Sequence, residues 1–232
     1  MDFTKLLSLL DKSELFFPSA LNLAEDDPYE GSYARGNLDY DPSKDPSFKD
    51  KNLKVLKNFQ KVRENSRIFT RDFARRGVYI NSWYMSENES AAMWKCYTEN
   101  KDGVAIQTTV GRLKAAIKDN LKETYIGKII YINYEVSAIP ENNLFWNFVH
   151  KRKSFEHEKE LRAMFINNEL FNQSAELEKG VPIPIDIDEL IEKIFISPTA
   201  PDWTKKLLES VLEKYKRNFV VKKSNLHSEG LW

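Results

Sequence analysis

The sequence predicts an α+β fold, a single domain in which a mixed, largely antiparallel central sheet is flanked by helices. Short runs rich in β-branched and aromatic residues, such as Val78–Tyr84, are typical of strands. They are interspersed with segments such as Phe3–Leu10, in which apolar residues recur at helical spacing. No internal repeat, low-complexity tract or linker interrupts the sequence, so residues 1–232 are predicted to form one domain.

Apolar periodicity and turn residues predict the elements in chain order. Apolar residues three or four apart predict helices at 3–10, 52–76, 86–97, 111–121, 142–153 and 201–215. Short β-branched and aromatic runs predict strands at 15–17, 78–84, 104–108, 128–134, 183–185, 193–196 and 219–221. Ser86 and Glu89 have the spacing of a capping box and are expected to open the third helix. Residues 23–50 are expected to form a long ordered loop, and residues 167–180 a polar excursion.

Composition excludes several classes of protein. The chain has 35 acidic and 35 basic residues, which argues against a protein held on nucleic acid mainly by charge. Its single cysteine, Cys96, excludes an internal disulfide and a cysteine zinc cluster, and is expected to be a small buried hydrophobe. No apolar run has the length of a membrane span, and Met1–Lys5 lacks the layout of a signal peptide. We therefore expect a soluble, cytoplasmic protein with no membrane partner.

The familiar sequence motifs of enzymes are missing. The chain has no P-loop, no dinucleotide-binding glycine fingerprint and no nucleophile elbow. His150, His157 and His227 are too scattered for a helical metal motif, so no metal is expected. His150 and His157 flank Lys151–Lys153 and are expected to lie on a basic surface.

The segment Phe155–Phe165 is the most informative stretch. From Leu161 onward polar and apolar residues alternate, which predicts a strand with Leu161, Ala163 and Phe165 on a core. If the strand begins at Glu158, then Glu158, Glu160 and Arg162 project from one face, about 7 Å apart. We expect Glu160 and Arg162 to face a polar cleft. The alternative is an amphipathic helix in which Glu158 and Arg162 form an i,i+4 ion pair; the strand is favoured.

Two further features allow a structural or a functional interpretation. Residues 26–31, Asp-Asp-Pro-Tyr-Glu-Gly, are typical of a turn, although Asp27 and Glu30 could bind a cation or a sugar hydroxyl. The turn is favoured, and we expect it to be ordered and to pack near the helix that carries Trp94. The basic clusters at 71–76 and 151–153 are typical of a solvated surface but could hold phosphates.

Several blocks, taken in order, resemble the bacterial domain-of-unknown-function family 2971. They span most of the chain, and their order is more specific than any one of them. The matching residues are Leu15-Phe16-Phe17, Asp26 to Gly31, Asn81-Ser82-Trp83, Ser86, Glu89, Ala92-Met93-Trp94, Tyr97, Gly103 to Ile106, Lys153, Phe155, Glu158, Glu160, Arg162 and Ile196-Ser197-Pro198.

The layout of that family is similar to the ADP-ribosyltransferase fold. There an early basic strand and a middle serine strand hold NAD, and a late glutamate stabilises the oxocarbenium-like centre as nicotinamide leaves. The resemblance implies that Glu160 is this glutamate and Glu158 its companion. It implies that Ser82, Trp83, Tyr97 and Arg162 bind the cofactor. Family members start with a short strand that Met1 already lies beyond, so this strand is expected to be truncated, lost or replaced.

Three functional hypotheses follow. The leading hypothesis is an ADP-ribosyltransferase-like enzyme that uses NAD, such as a toxin or phage-defence effector, in which a carboxylate on a rigid strand stabilises positive charge. The opposing hypothesis is a non-catalytic module that binds a nucleotide, nucleic acid or protein through the basic clusters and aromatic residues, with Glu158, Glu160 and Arg162 as a structural network. A weaker option is a metal-dependent nuclease that uses Asp27, Glu30 and Glu160.

Overall fold

A computed structural model describes residues 1–97, 103–117, 123–167 and 179–226. Helices combine with largely antiparallel sheets, so the predicted α+β class is confirmed. The α-helices are α1 (Phe3–Lys12), α2 (Ala20–Leu23), α3 (Arg35–Leu38), α4 (Leu53–Phe69), α5 (Arg75–Gly77), α6 (Ala91–Tyr97), α7 (Val110–Ala116), α8 (Ile187–Leu190) and α9 (Trp203–Lys214). The strands are β1 (Glu14–Pro18), β2 (Val78–Tyr84), β3 (Val104–Gln107), β4 (Tyr125–Lys128), β5 (Ile130–Ile132), β6 (His150–Arg152), β7 (Glu160–Ile166), β8 (Gly180–Pro184), β9 (Lys193–Ile196) and β10 (Val220–Lys223).

The chain divides into two compact units, each made of separate stretches of sequence. Unit 1 comprises residues 1–16, 86–121 and 182–232, and unit 2 comprises residues 17–85 and 122–181. The chain passes from one unit to the other within β1, after residue 85, after residue 121 and within β8. The organisation of residues 1–232 as one domain stays a prediction.

Unit 1 contains a three-stranded sheet in the order β10-β9-β3, with β10 parallel and β3 antiparallel to β9. The helices of this unit bury apolar residues at helical spacing, such as Leu6, Leu9 and Leu10 of α1 and Leu208 and Leu212 of α9. These residues belong to the core because burying each large aliphatic side chain contributes about 1.5–3 kcal/mol.

Unit 2 contains a three-stranded antiparallel sheet in the order β2-β7-β4. Two short parallel strands, β5 and β6, form a second sheet. One core cluster packs Val78, Ile80 and Met164 of the larger sheet against Phe148 and Val149. The sheet is covered on both faces, because Tyr79 and Phe165 on its other face are also buried.

The predicted helices at 52–76 and 142–153 and the predicted strand at 128–134, all in unit 2, differ from the structure. The helix expected at 52–76 is divided into α4, a π-helical turn at Thr70–Ala74 and α5. The helix expected at 142–153 is instead a 3-10 turn at Leu144–Phe148 followed by β6, since Asn143 caps the short turn and the chain then pairs with β5. The single strand expected at 128–134 is divided at Ile129. The Ile129 N–H donates to the Glu160 carbonyl and the Ile130 N–H to the Val149 carbonyl, so the chain changes partners between β4 and β5.

The long loop expected at 23–50 contains α3 and two 3-10 turns, whose first backbone N–H groups donate to Asp41 and Asp45. The helix expected at 86–97 begins only at Ala91, because Ser90 rather than Ser86 caps its first turn. The end of the helix expected at 111–121, most of the polar segment 167–180, and His227 lie outside the described residues.

Two burial predictions are wrong. Cys96 is exposed, because the short helix α6 turns Met93 and Trp94 inward and Cys96 outward. His150 is buried rather than on a basic surface, and its Nδ1 lies 2.6 Å from the Trp146 carbonyl oxygen. Within the described ranges, no helix combines the length and the apolar character needed to cross a membrane.

Candidate active site

The candidate site is built on β2 and β7 of unit 2. Their antiparallel register places Ser82 opposite Arg162 and Tyr84 opposite Glu160. Directly paired residues share a face of the sheet, so Ser82, Arg162 and Glu160 lie on the same face. Farther along that face Ile80 is paired with Met164 in the apolar core. The polar residues therefore begin where the apolar core ends.

Arg162 is the centre of a buried ion network, and its side chain is 2% exposed. Its Nη1 and Nη2 donate to the two carboxylate oxygens of Glu30 at 2.7 and 2.9 Å, a bidentate geometry. Its Nε donates to Glu160 Oε2 at 2.7 Å, and Nη1 also donates to the Phe148 carbonyl at 2.8 Å. Arg162 therefore does not face a polar cleft, contrary to the sequence prediction, because the guanidinium is enclosed by acceptors from its own unit.

A tight turn delivers Glu30 to this network. The backbone N–H of Tyr29 donates to Asp27 Oδ1 at 3.1 Å, and that of Glu30 donates to the Asp27 carbonyl at 2.8 Å. Gly31 follows with φ +67°, and a Cβ there would lie 2.5 Å from the Phe148 ring. Glycine is required by both the backbone and this close approach. The turn predicted from composition is present, and two of its three acidic side chains, Asp27 and Glu30, are buried.

The second half of the network contains two glutamates and a lysine. Lys151 Nζ lies 2.5 Å from both Glu158 Oε2 and Glu160 Oε1, and 4.6 Å from the centre of the Phe155 ring. Ser82 Oγ donates to Glu160 Oε2 at 3.1 Å, and the Glu160 N–H donates to Tyr131 Oη at 2.8 Å. Glu158 precedes β7 as the last residue of a 3-10 turn (Lys153–Glu158), and Lys159 follows with φ 40°. The predicted strand therefore starts two residues later than expected.

The two glutamates have opposite pKa shifts. Burial alone would raise the pKa of Glu160, but the charge of Arg162 and hydrogen bonds from Glu158 and Arg162 hold it far below the usual range. Burial raises the pKa of Glu158, as does its hydrogen bond with Glu160, although Lys151 opposes both. Glu160 is thus the ionised member of the pair and Glu158 the member that takes up a proton more readily.

The outer edge of this group reaches solvent. Ser82 is exposed, and the Glu158 side chain is 18% exposed against 9% for Glu160. Arg162 and Glu30 lie behind them, each almost fully buried. The network therefore has an inner half, the Arg162–Glu30 pair, and an outer half formed by Ser82, Glu158, Glu160 and Lys151.

The other residues expected to bind a cofactor are not all brought to this edge. Trp83 is paired with Leu161, on the face of β2 opposite to Ser82, and its indole N–H donates to Asn81 Oδ1 at 2.6 Å. Tyr97 is exposed at the end of α6 in unit 1. The structure thus joins Ser82, Glu158, Glu160 and Arg162 of the predicted set and leaves Trp83 outside the group.

The two basic clusters are largely paired within unit 2. Arg71 is paired with Asp72, Arg75 donates to the Pro28 carbonyl, and Lys151 binds the two glutamates. Arg152 Nη2 donates to Asp27 Oδ1 at 2.7 Å, and its guanidinium carbon lies 4.7 Å from the centre of the Tyr29 ring and 5.1 Å from that of the Phe155 ring. These contacts stabilise the turn and weaken the hypothesis of a free phosphate-binding surface.

The 26–31 turn belongs to unit 2 and the helix that carries Trp94 to unit 1, so their expected packing stays a prediction. Within unit 2 the turn packs on Tyr134, whose ring meets the Tyr29 ring edge-on at 5.1 Å. Burial raises the pKa of Tyr134, and the nearby charges of Glu30 and Asp27 raise it further. In the described part of the chain, no group of three or more histidine, cysteine, aspartate or glutamate side chains has the geometry to hold a metal ion.

Sequence reasoning missed the roles of Glu30 and Lys151. Glu30 lies 132 positions from Arg162 in the chain, and no local pattern links them. One sequence feature pointed to Glu30: Asp26, Asp27 and Glu30 make a compact turn strongly acidic, in a long segment with few apolar anchors. The run of basic residues at 151–153 predicts a solvated surface for Lys151, whereas the structure places it in β6 beside two glutamates.

Comparison with known proteins gives one match. A family model described as a protein of unknown function, DUF2971, matches residues 93–163. The match supports the resemblance to that family over less than a third of the chain. The matched segment includes Tyr97, Glu158, Glu160 and Arg162 but neither Ser82 nor Glu30. No curated protein and no solved structure matches the chain.

Proposed function

We propose that this protein is an ADP-ribosyltransferase-like enzyme that acts on NAD, with Glu160 as its catalytic carboxylate. The observation that carries the proposal is the hydrogen bond from Ser82 Oγ to Glu160 Oε2 across the paired strands β2 and β7. The family resemblance implies that Ser82 holds the cofactor and that Glu160 is the catalytic glutamate, and this contact joins the two at the solvent-reaching edge of the ion network.

The chemistry requires an ionised carboxylate. The bond that breaks joins the nicotinamide nitrogen to C1′ of the ribose, and its electron pair leaves with nicotinamide while positive charge develops on the ribose. A fixed negative charge stabilises that transition state more than the ground state. The low pKa of Glu160, caused by Arg162 and by its hydrogen bonds against the effect of burial, supplies this charge throughout the physiological pH range. An acceptor hydroxyl, or water in the absence of a target, then bonds to C1′ and releases its proton to solvent.

The neighbouring side chains have positioning roles in this proposal. Lys151 bridges Glu158 and Glu160, so the two carboxyl groups keep a fixed separation. Ser82 and Arg162 hold Glu160 Oε2 from two directions. A catalytic group whose rotamer is locked by such contacts needs little reorganisation during the reaction. Glu158 is the more accessible carboxyl and is the candidate contact for a ribose hydroxyl.

The test is nicotinamide release from NAD by the parent protein and by Glu160→Gln. We expect turnover to fall by a factor of about 100 or more, as for the loss of a preorganised electrostatic group. The matched control is Glu141→Gln, which removes a carboxylate that Arg63 of the same unit binds in bidentate geometry. This control should change stability and leave turnover per folded molecule unchanged. A parent protein that releases no nicotinamide contradicts the proposal.

A second candidate function is a non-catalytic module, and the Arg162–Glu30 pair favours it. Every guanidinium nitrogen of Arg162 donates to an acceptor of unit 2, as in a network that fixes a fold. Under this alternative the chain binds a nucleotide, nucleic acid or protein, and Glu160 serves only to neutralise Arg162 and Lys151. Affinity for NAD without nicotinamide release, unchanged in Glu160→Gln, supports this alternative.

A further inference from the structure

Helix α4 contacts its own unit along one narrow side. Phe59 packs against Phe48, with ring centres 4.7 Å apart, and Arg63 holds Glu141 through two contacts of 2.6 Å. Arg67 donates to the Asn37 carbonyl at 3.0 Å. No residue of α4 is fully buried, although the helix has 17 residues. Most of its surface therefore faces solvent.

On the exposed side of α4, apolar residues recur at regular intervals. Val55, Val62 and Phe69 recur every seven residues and are 41%, 65% and 38% exposed. Residues seven apart lie along one stripe of a helix, the spacing of the contact seam in a coiled coil. Exposed Asn58 and Asn65 lie between them at the positions where that seam continues.

A row of positive charge runs beside the stripe. Lys54 and Lys61 each precede a valine of the stripe by one residue and are exposed. This is the flanking position at which charged residues select the partner of a paired helix. None of the lysines of α4 has an ion-pair partner among the residues that the structure describes. Their charge is therefore available to a partner.

We propose that the face of α4 formed by Val55, Val62 and Phe69 with Lys54 and Lys61 docks an acidic amphipathic helix of another protein. Apolar residues of that helix cover the stripe, and its glutamates meet the two lysines. The interaction is independent of the NAD chemistry proposed above. It assigns a partner class to a surface that neither the ion network nor the family resemblance explains.

Two other occupants fit the face less well. A second copy of the chain, paired antiparallel through the same face, would bring Lys54 and Lys61 against the same lysines, and like charges repel. An anionic bilayer would attract the lysines. It would also force Asn58 and Asn65 toward the hydrocarbon without hydrogen-bond partners, which is costly. A partner helix can satisfy those amides across the seam.

The test uses a synthetic helical peptide of about three heptads, with leucine facing the Val55, Val62 and Phe69 positions, asparagine facing Asn58 and Asn65, and glutamate at the flanking positions. Binding to the intact chain is measured by fluorescence anisotropy at low and high salt. We expect binding that weakens with salt, and a loss of affinity of about tenfold or more in Val62→Asp and in the double variant Lys54→Glu, Lys61→Glu. Both changes are at exposed positions, so each variant should keep the thermal midpoint of the parent protein.

The matched control is the double variant Lys206→Glu, Lys214→Glu, which makes the same change in net charge on exposed positions of α9. It should retain the parent affinity within roughly a factor of two, because its lysines lie on another helix. A peptide with lysine at the flanking positions should not bind. The proposal is overturned if the acidic peptide does not bind or if the α9 control loses affinity equally. Sedimentation with phosphatidylserine vesicles in the absence of peptide binding also overturns it.

Discussion

Strands β7 and β9 hold the same position, the middle of a three-stranded sheet, and they are built differently. In β9, Ile194 and Ile196 are buried while Lys193 and Phe195 are half-buried, the pattern of one covered face. In β7 both faces are buried, and two of its buried residues, Glu160 and Arg162, are charged. Buried charge destabilises a fold unless it is paired. The comparison shows that β7 depends on a distant partner, Glu30, in a way that β9 does not.

The largest effect is expected from removing that partner. Glu30→Ala leaves the Arg162 guanidinium partly uncompensated in the interior, which should cost about 3–5 kcal/mol of unfolding free energy. The measurement is urea unfolding monitored by circular dichroism. The matched control is Glu192→Ala, which removes the partly exposed partner of Lys193 on β9 and should change the midpoint far less. Equal small losses in both variants would show that the network does not stabilise β7.

Phe165→Ala tests the other face of β7. The Phe165 ring is 1% exposed and stacks on Tyr79, with ring centres 5.2 Å apart. Truncation should cost about 3–5 kcal/mol, because it leaves a cavity that this packed site fills poorly. Thermal and urea unfolding measure it. A loss well under about 1 kcal/mol, as at a surface position, would show that the register of β7 against β2 is wrong.

The local signals in β7 and β9 explain how much the sequence could predict. The segments at β2 and β9 were predicted with the bounds that the structure has, since β-branched and aromatic runs depend on neighbouring residues alone. The alternation of Leu161, Ala163 and Phe165 predicted a strand correctly. It could not show that the opposite face is covered by residues 144–149, because that packing is tertiary. The family resemblance implies separate roles for Ser82 and Glu160, whereas their contact and the positions of Glu30 and Lys151 required the structure.

The ionised state of Glu160 predicts a pH dependence specific to β7. A carboxyl whose pKa is lower in the folded protein stabilises the fold above its unfolded pKa of about 4.3. That stabilisation is lost as the pH falls through the folded pKa. The parent should therefore lose stability more steeply below about pH 4.3 than Glu160→Gln, which has no proton to bind. Unfolding free energies at several pH values test this, and parallel curves would contradict it.

Ile194→Val gives the smallest expected effect. It measures the stability cost of a small packing defect in β9, the apolar middle strand. Ile194 is fully buried in β9, so removing one methylene group should cost about 0.5–1.5 kcal/mol. Thermal unfolding measures the change. A cost as large as that of Glu30→Ala would remove the distinction between an apolar middle strand and one that depends on buried charge.

The central claim is that the ion network on β7 has a structural inner half and a catalytic outer half. The most direct test measures thermal midpoint and nicotinamide release on the same samples of Glu30→Gln and Glu160→Gln. Glu30→Gln should lower the midpoint strongly and keep turnover per folded molecule. Glu160→Gln should lower the midpoint less, since Arg162 keeps its two contacts with Glu30, and should reduce turnover about 100-fold or more. A large drop in the midpoint of Glu160→Gln, with no nicotinamide release by the parent, would contradict the claim and leave the network a structural one.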